Sequence, residues 1–334
     1  FSVYASGTDN NSGVIKNSNI TLTNDVTVEN KALLASQIIA PVNASLHQVF
    51  TVVMRVTNNG GAAANVTAPV LLTNSANVTA ISVPSPVSFD LGGGLTHDFT
   101  WTYSGTAAGS VIFSGYASGT DANSGAQAVS DSTNAQVTIQ TRPSLAMDVF
   151  AVPGTVSTGQ IITVIMRVTN NGEATALNVA PETALPGYSG TGTVSWSWGP
   201  TPALFTIPGS TTKDFTWTYS ATGAGNITFS TRAQGTDANE GTQVLSNTDS
   251  TNTVNIQASA QLASEISASQ YTVSSGNIIT VWMAVTNNGV AAANSVAPQF
   301  TPSGPVSLLE GPLPTSFSLG SSASNVFTWT YSVT

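Results

Sequence analysis

The segment "ITVIMRVTNNGEATALNVAP" at residues 162–181 decides the fold of this chain. Ile162, Val164, Met166 and Val168 alternate with other side chains, and a period of two is typical of a β-strand with one buried face. "NNG" follows at once, and Asn and Gly tolerate the positive φ that a tight turn needs. The segment therefore predicts a strand, a turn and a second strand.

This segment occurs three times, and two other phrases recur with it. "FTWTYS" lies at 99–104, 215–220 and 327–332, and a Gly-Thr-Asp phrase lies within 4–13, 116–125 and 232–241. Equivalent positions are 112 to 117 residues apart. A period of this length is a repeated domain, since solenoid units have only about 20–50 residues.

The pattern around the repeats favours an all-β fold of tandem immunoglobulin-like β-sandwiches, each of about 112–116 residues, in a linear array. No stretch has a sustained helical period of about 3.6. We predict strands in the second complete copy at 145–151, 161–169, 174–180, 203–207, 214–220, 225–234 and 243–256. The predicted domains are 1–30 (the last two strands of a split sandwich), 31–142, 143–258 and 259–334 (five strands of a split sandwich).

Composition excludes several function classes. Only 7% of the 334 residues are charged, and 16 Asp and Glu stand against 7 Lys and Arg. No basic patch exists to neutralise a phosphate backbone, so we expect no nucleic-acid partner. The chain has no Cys, which excludes disulfides and thiolate metal sites. Its longest apolar runs are strand-sized, so we expect no membrane span in this segment.

The hairpin segment resembles the opening of the CARDB-like and conserved-repeat Ig-like domains of prokaryotes, in which a "V-x-N-x-G-x-x-x-A-x-x-V" phrase follows the first core strand. The resemblance covers about 20 residues in each of the three copies. It implies a long secreted or surface-anchored protein involved in adhesion. It brings no catalytic residues to this chain.

The Gly-Thr-Asp phrases continue into sequences like the first half of a calcium loop. Oxygen ligands at alternate positions are what Ca²⁺ requires. The same residue types also build ordinary turns, because Asp and Asn accept hydrogen bonds from nearby backbone N–H groups. We favour the turn and expect no cofactor, and calcium is the alternative. The candidate ligands are Asp9, Asn11, Asp121, Asn123, Asp237 and Asn239.

Catalytic chemistry finds no support in the residue pattern. The only histidines are His47 and His97, and Lys213 and Asn325 occupy the positions equivalent to His97. A hydrolytic triad needs an imidazole held in a pocket. We therefore expect no enzymatic activity.

Apolar side chains outside the predicted core indicate contact surfaces. Val53, Ile165 and Trp282 occupy one outward register of the repeated strand. Phe327 and Trp329 lie on a strand expected to have an unpaired edge, and Phe1 and Tyr4 lie on strands separated from their sandwich. Trp196 and Trp198 fall in a predicted loop. Either they are buried against their own domain, or they stack on a sugar ring.

Six Asn-x-Ser/Thr sequons are candidate glycan acceptors. Whether any of them is used depends on the source organism, and the chain alone leaves that open. They lie at Asn10, Asn19, Asn43, Asn65, Asn77 and Asn226.

The two split sandwiches predict self-association. Residues 1–28 carry the two strands that 259–334 lack in the repeat register, so one copy would complete the next, head to tail. A single longer repeat chain, of which this is one window, fits equally. We expect a structural extracellular filament, stalk or cell-surface appendage, with lateral bundling possible. The alternatives are the spacer region of a cell-surface adhesin and an Ig-like accessory region of a secreted glycosidase.

Overall fold

The structure is a computed structural model that describes residues 1–82, 84 and 86–334. Strands connected by turns account for all the regular structure among these residues, and the chain forms two compact units, 1–140 and 141–334. The predicted all-β class with several sheets is confirmed. In the part of the chain so described, no helix has the length and apolar character to cross a membrane.

Residues 1–22 form two small antiparallel ladders. The strands are β1 (Ser2–Val3), β2 (Ser6–Thr8), β3 (Ile15–Asn17) and β4 (Thr21–Leu22). β1 pairs with β4, and β2 pairs with β3. Nearly every residue of this segment is exposed.

The described residues within 34–140, here called the first module, form twelve strands around one core. A four-stranded sheet, β10-β12-β7-β5, faces two further sheets, β11-β8-β14-β15 and β6-β16-β13-β9. The strands are β5 (Leu34–Ile39), β6 (Asn43–Ser45), β7 (Val49–Asn58), β8 (Ala64–Thr67), β9 (Leu72–Thr73), β10 (Val78–Ala80), β11 (Ser88–Leu91), β12 (Thr96–Gly105), β13 (Gly109–Gly115), β14 (Ser118–Asp121), β15 (Gln127–Val129) and β16 (Thr133–Gln140).

Residues 145–257, the second module, repeat this plan. The sheet β17-β19-β24-β22 faces β23-β20-β26-β27 and β18-β29-β25-β21, and β28 pairs with β25. The strands are β17 (Leu145–Val152), β18 (Thr155–Ser157), β19 (Ile161–Asn170), β20 (Ala176–Pro181), β21 (Gly187–Gly190), β22 (Thr193–Thr201), β23 (Phe205–Ile207), β24 (Thr211–Gly223), β25 (Gly225–Thr231), β26 (Ala233–Asp237), β27 (Gln243–Leu245), β28 (Asp249–Ser250) and β29 (Val254–Gln257).

Residues 262–333, the third region, contain one complete sheet and part of a second layer. The sheet is β30-β31-β35-β33, and β32 pairs with β34. The strands are β30 (Leu262–Ala268), β31 (Ile278–Asn287), β32 (Ala293–Val296), β33 (Val306–Leu313), β34 (Phe317–Leu319) and β35 (Ser324–Val333).

The alternating residues of the repeated segment lie where their period predicts. In β19, Ile162, Val164, Met166 and Val168 are fully buried, and they share one core with Phe215, Trp217 and Tyr219 from the neighbouring strand. Burying such side chains contributes roughly 1.5–3 kcal/mol each. The alternation "FTWTY" places its three aromatic rings on the same buried face.

Two strands predicted as continuous are divided in the structure. The predicted strand at 225–234 ends at Thr231, and the chain resumes at Ala233 in a different sheet. The predicted strand at 243–256 becomes three shorter strands. The alternation continues through such a crossing, so the period does not reveal that the strand changes its partner.

The predicted loop around Trp196 and Trp198 is wrong, because both residues lie in the edge strand β22. This strand pairs with β24 through several register shifts, and Trp196 and Trp198 are 50% and 54% exposed. Bulges and prolines disrupt the simple alternation that a sequence pattern can detect.

Candidate functional site

The turn that follows β14 in the first module is built around the Asp121 carboxylate. Its Oδ1 accepts hydrogen bonds from the Asn123 N–H at 3.0 Å, the Ser124 N–H at 2.8 Å and the Ser124 hydroxyl at 2.9 Å. Its Oδ2 accepts the N–H of Ala32 at 2.8 Å, 89 residues earlier in the chain. The carboxylate thus connects its own turn to the segment that enters the module.

Electrostatics follow from these donors. Asp121 is only 3% exposed, and the Ala32 N–H, followed by Ser124, lowers the pKa of its carboxyl to about 2. Donors that bond to a carboxylate favour its charged form. Each carboxylate oxygen already accepts a hydrogen bond from at least one N–H group. The observed geometry is therefore that of a turn stabilised by an Asp side chain.

The equivalent turns have related but not identical contacts. Asp9 accepts the N–H groups of Asn11 and Ser12, which lower the pKa of its carboxyl, with the Ser12 N–H as the main cause. Asp237 accepts the Asn239 N–H at 2.8 Å. The six candidate calcium ligands therefore lie as Asp-Asn pairs in three separate turns.

Among the described residues, no group of three or more His, Asp or Glu side chains lies close enough together to hold a metal. Asn123 donates its Nδ2 to Glu29 at 2.9 Å, and Glu240 pairs with Arg142 at 2.7 Å. In both modules, then, the turn contacts the residues that enter the module. Calcium binding by these turns is not tested by this geometry.

A buried asparagine after the repeated strand is the main structural residue that the sequence analysis missed. Asn170 is fully buried, and its Oδ1 accepts the N–H groups of Ser144 and Gly172, both at 3.1 Å. Its Nδ2 donates to the carbonyls of Ala174 at 2.8 Å and Ile207 at 3.1 Å. One amide therefore joins the entering segment, its own turn and strand β23.

The same arrangement recurs in the other two copies. Asn58 and Asn287 are also fully buried and make the equivalent bonds. The sequence signal was the identical first Asn of "NNG" in each copy, which we interpreted as a turn residue alone. A turn alone does not require a buried Asn side chain. The presence of the same Asn in all three copies therefore indicated a further structural role, which we overlooked.

The predicted interface residues fall into three environments. Trp282 is 37% exposed, and Val53 and Ile165 are half-buried in the same register of their sheets. Phe1 and Tyr4 are exposed. The other two, Phe327 and Trp329, lie in the core of the third region and are almost completely buried.

The unpaired edge expected for the "FTWTYS" strand of the third region is wrong. Strand β35 pairs with β31 on one side and with β33 on the other. Strand β33 is equivalent to β22, whose residues were predicted as a loop, and register shifts between β33 and β35 again obscure the alternation. Phe327 and Trp329 therefore face the core and do not lie at an open edge.

The two histidines occupy structural positions. The His97 ring stacks on Phe89 with centroids 3.7 Å apart. In the second module Lys213, its equivalent, lies 5.3 Å above the Phe205 ring. His47 has a φ of 67° in the turn before β7. That the chain has no catalytic role stays a prediction.

Comparison with known proteins gives only distant likenesses. No family model matches the chain, and no curated protein matches it. Among solved structures, the chain is similar to the Escherichia coli adhesin FdeC, with 16% identity and a TM-score of 0.27, covering 92% of this chain and 90% of that one. It is also similar to the C-terminal domain of Streptococcus agalactiae BspA, an antigen I/II polypeptide, with 12% identity, a TM-score of 0.25 and coverage of 66% and 99%.

A third similar structure is Escherichia coli alpha-2-macroglobulin from domain MG7 to the C-terminus, with 14% identity and a TM-score of 0.29. The likeness covers 39% of this chain and 20% of that one, so the chain spans about a fifth of the macroglobulin fragment. At such low TM-scores these likenesses carry no argument about activity or partners. The resemblance to CARDB-like domains stays a prediction.

Proposed function

We propose that this chain is a structural repeat protein of the cell surface, part of an extracellular filament, stalk or appendage that serves anchoring or adhesion. Neighbouring copies complete one another's sandwiches, either as separate subunits joined head to tail or as successive parts of a longer repeat chain. The proposal includes no catalytic step and no cofactor. It rests on one observation, the uncovered core face of the third region.

That face is one side of the sheet β30-β31-β35-β33. In the second module, strands β25 and β29 cover the equivalent side of the sheet β17-β19-β24-β22. Ile266 is 58% exposed and Leu262 is 49% exposed, whereas their equivalents Val149 and Leu145 are 3% and 6% exposed. Ile266 pairs with Met283, on the face of the buried core residues. A contiguous apolar face of this kind is typical of a contact surface.

Residues 1–28 match in sequence register parts of the strands that cover this face in the other copies. Phe1 corresponds to Phe113 and Phe229, which are fully buried, yet Phe1 is 92% exposed. Val3, two residues later in strand β1, is also exposed. An aromatic ring that fills the core in two copies is therefore available in this segment to fill the core of another copy.

The surface chemistry supports the same proposal. Charged residues are 7% of the chain, so hydroxyl and amide groups carry most of its surface polarity. Contacts between such surfaces avoid the cost of burying unpaired ions. Strand addition then supplies backbone hydrogen bonds along the sheet edge.

Assembly of the purified chain tests the proposal by electron microscopy and sedimentation velocity. We expect concentration-dependent fibres, and we expect Ile266→Asp to leave the chain monomeric, because a carboxylate on the face opposes burial. Leu204→Asp is the matched control, since Leu204 is 56% exposed in the second module. A wild-type chain that stays monomeric, or an Ile266→Asp variant that assembles normally, would contradict the proposal.

The intact mass of the native polypeptide under full denaturation separates the two arrangements. A mass near 34.0 kDa, plus any glycans, means separate subunits. A mass several-fold larger means one tandem-repeat chain. In that case the next copy in the chain supplies the covering strands.

A further inference from the structure

The first module contains a surface pocket of about 440 Å³ beside the crossing between its two smaller sheets. This volume lies in the range of about 300–1,000 Å³ typical of small-molecule sites. Its lining includes Thr67 at the end of β8, Leu72 in β9, and Ser114, Tyr116 and Ser132.

The lining combines one aromatic ring with neutral hydroxyls. Tyr116 is 53% exposed, and no ionised side chain lines the pocket among the described residues. The hydroxyls of Thr67, Ser114 and Ser132 have no hydrogen-bond partner among the residues that the structure describes. They are thus available both to donate to a ligand and to accept from it.

The second module has an ion pair at the equivalent position. Repeat register places Glu182 at the position of Val70, which also lines the pocket, and Arg232 at that of Tyr116. Glu182 and Arg232 form a bidentate ion pair. The Glu182 N–H also donates to the Arg232 carbonyl at 2.8 Å, so the pair lies on the corresponding crossing.

We propose that this pocket binds a neutral saccharide of one or two rings. A sugar ring presents an apolar face of C–H groups that packs on an aromatic ring such as Tyr116. Its hydroxyls both donate and accept, which matches the serine and threonine lining. A charged ligand would enter a site that contains no opposite charge, at a desolvation cost. Sugar binding at this pocket does not depend on the proposed assembly through the third region.

Saturation-transfer NMR of the full chain tests this site with methyl glycosides of glucose, galactose, mannose and N-acetylglucosamine as probes. We expect at least one probe to bind with a Kd of about 1 mM. The double variant Val70→Glu with Tyr116→Arg copies the pair of the second module, so it keeps a natural combination at this crossing. It should weaken binding at least about tenfold, which is about 1.4 kcal/mol.

The reciprocal variant, Glu182→Val with Arg232→Tyr, should add a second site and double the binding stoichiometry. Binding that survives Val70→Glu with Tyr116→Arg but is lost in Trp196→Ala with Trp198→Ala would overturn the assignment and locate the sugar on strand β22. Absence of binding by all four probes at millimolar concentrations would also overturn it. So would binding of an apolar dye in this pocket without any sugar.

Discussion

The second module and the third region contain nearly the same main sheet, yet their cores differ. Strand β19 pairs with β24 and strand β31 pairs with β35 in the same register, so that Met166 faces Phe215 and Met283 faces Phe327. Met166 is fully buried, whereas Met283 is only half-buried. Strand pairing within a sheet therefore does not require the second layer, but burial of the apolar face does.

The largest expected effect comes from removing the covering aromatic ring of the second module. Phe229→Ala should lower the free energy of unfolding of that module by about 3–5 kcal/mol, because it leaves a cavity beside Tyr219. Urea unfolding and hydrogen exchange of strand β19 measure the change. The variant makes the second module resemble the third region.

Phe1→Ala is the matched control, because Phe1 occupies the equivalent register and is 92% exposed. In dilute monomer we expect a change within about 0.5 kcal/mol. A loss of stability comparable to that of Phe229→Ala in the monomer would mean that Phe1 is buried within its own chain.

The next largest effect should come from the buried asparagine. Asn170→Ala removes the partner of two N–H groups and two carbonyls, at a cost of about 1–3 kcal/mol for each buried group left without a bond. We expect a loss of about 3 kcal/mol in the second module, since water can reach some of the freed groups. Hydrogen exchange at Gly172 and unfolding in urea check it.

Asn287→Ala sharpens the comparison, because Asn287 makes the equivalent bonds without a complete second layer. A similar local loss of protection in β31 would show that this amide acts independently of the covering sheet. Asn171→Ala is the control, since Asn171 is the exposed second residue of "NNG". An equal effect of Asn171→Ala would assign the loss to the turn.

Acid should weaken the first module through Asp121. Its pKa of about 2 lies below the ordinary value of about 3.9, so its stabilising contribution is complete above about pH 4 and is lost as the pH falls through about 2. Thermal unfolding between about pH 5 and pH 2 should show this loss, and Asp121→Asn should remove that pH dependence. Asp9→Asn should leave it unchanged in this module.

Calcium provides a further test of the same turns. Because the Asp121 oxygens already accept four hydrogen bonds, we expect added Ca²⁺ or a chelator to leave the unfolding midpoint unchanged. A rise in the midpoint that saturates with Ca²⁺ and disappears in Asp121→Asn would establish a calcium site instead.

The smallest effect should come from the ion pair on the outer face of the second module. Arg167 and Asp214 form a bidentate pair, but their side chains are 51% and 39% exposed. A double-mutant cycle with alanine should give a coupling of about 0.2–1 kcal/mol that falls with added salt. The third region has Ala284 and Val326 at these positions and therefore lacks the pair. A coupling energy above that range that does not change with salt would contradict a surface role for the ion pair.

Particular residues show how far the sequence could predict this structure. The alternation in 162–168 and in "FTWTY" predicted the strands, their buried faces and the all-β class, because the side-chain period of a strand is a local property. The strand at Trp196 and Trp198 was missed because its register shifts interrupt that period. The role of Asn170 was missed because its partners come from three separate parts of the chain.

The sequence by itself determined the repeat, the strand–turn–strand units and the low content of charged groups, since all three depend on residue order and composition. Only the tertiary structure decided which apolar faces are covered. Phe1 and Phe229 occupy the same place in the repeat, but one is exposed and the other buried. Burial depends on a second layer of strands stacking on the sheet, and that layer comes from distant segments that no local pattern specifies.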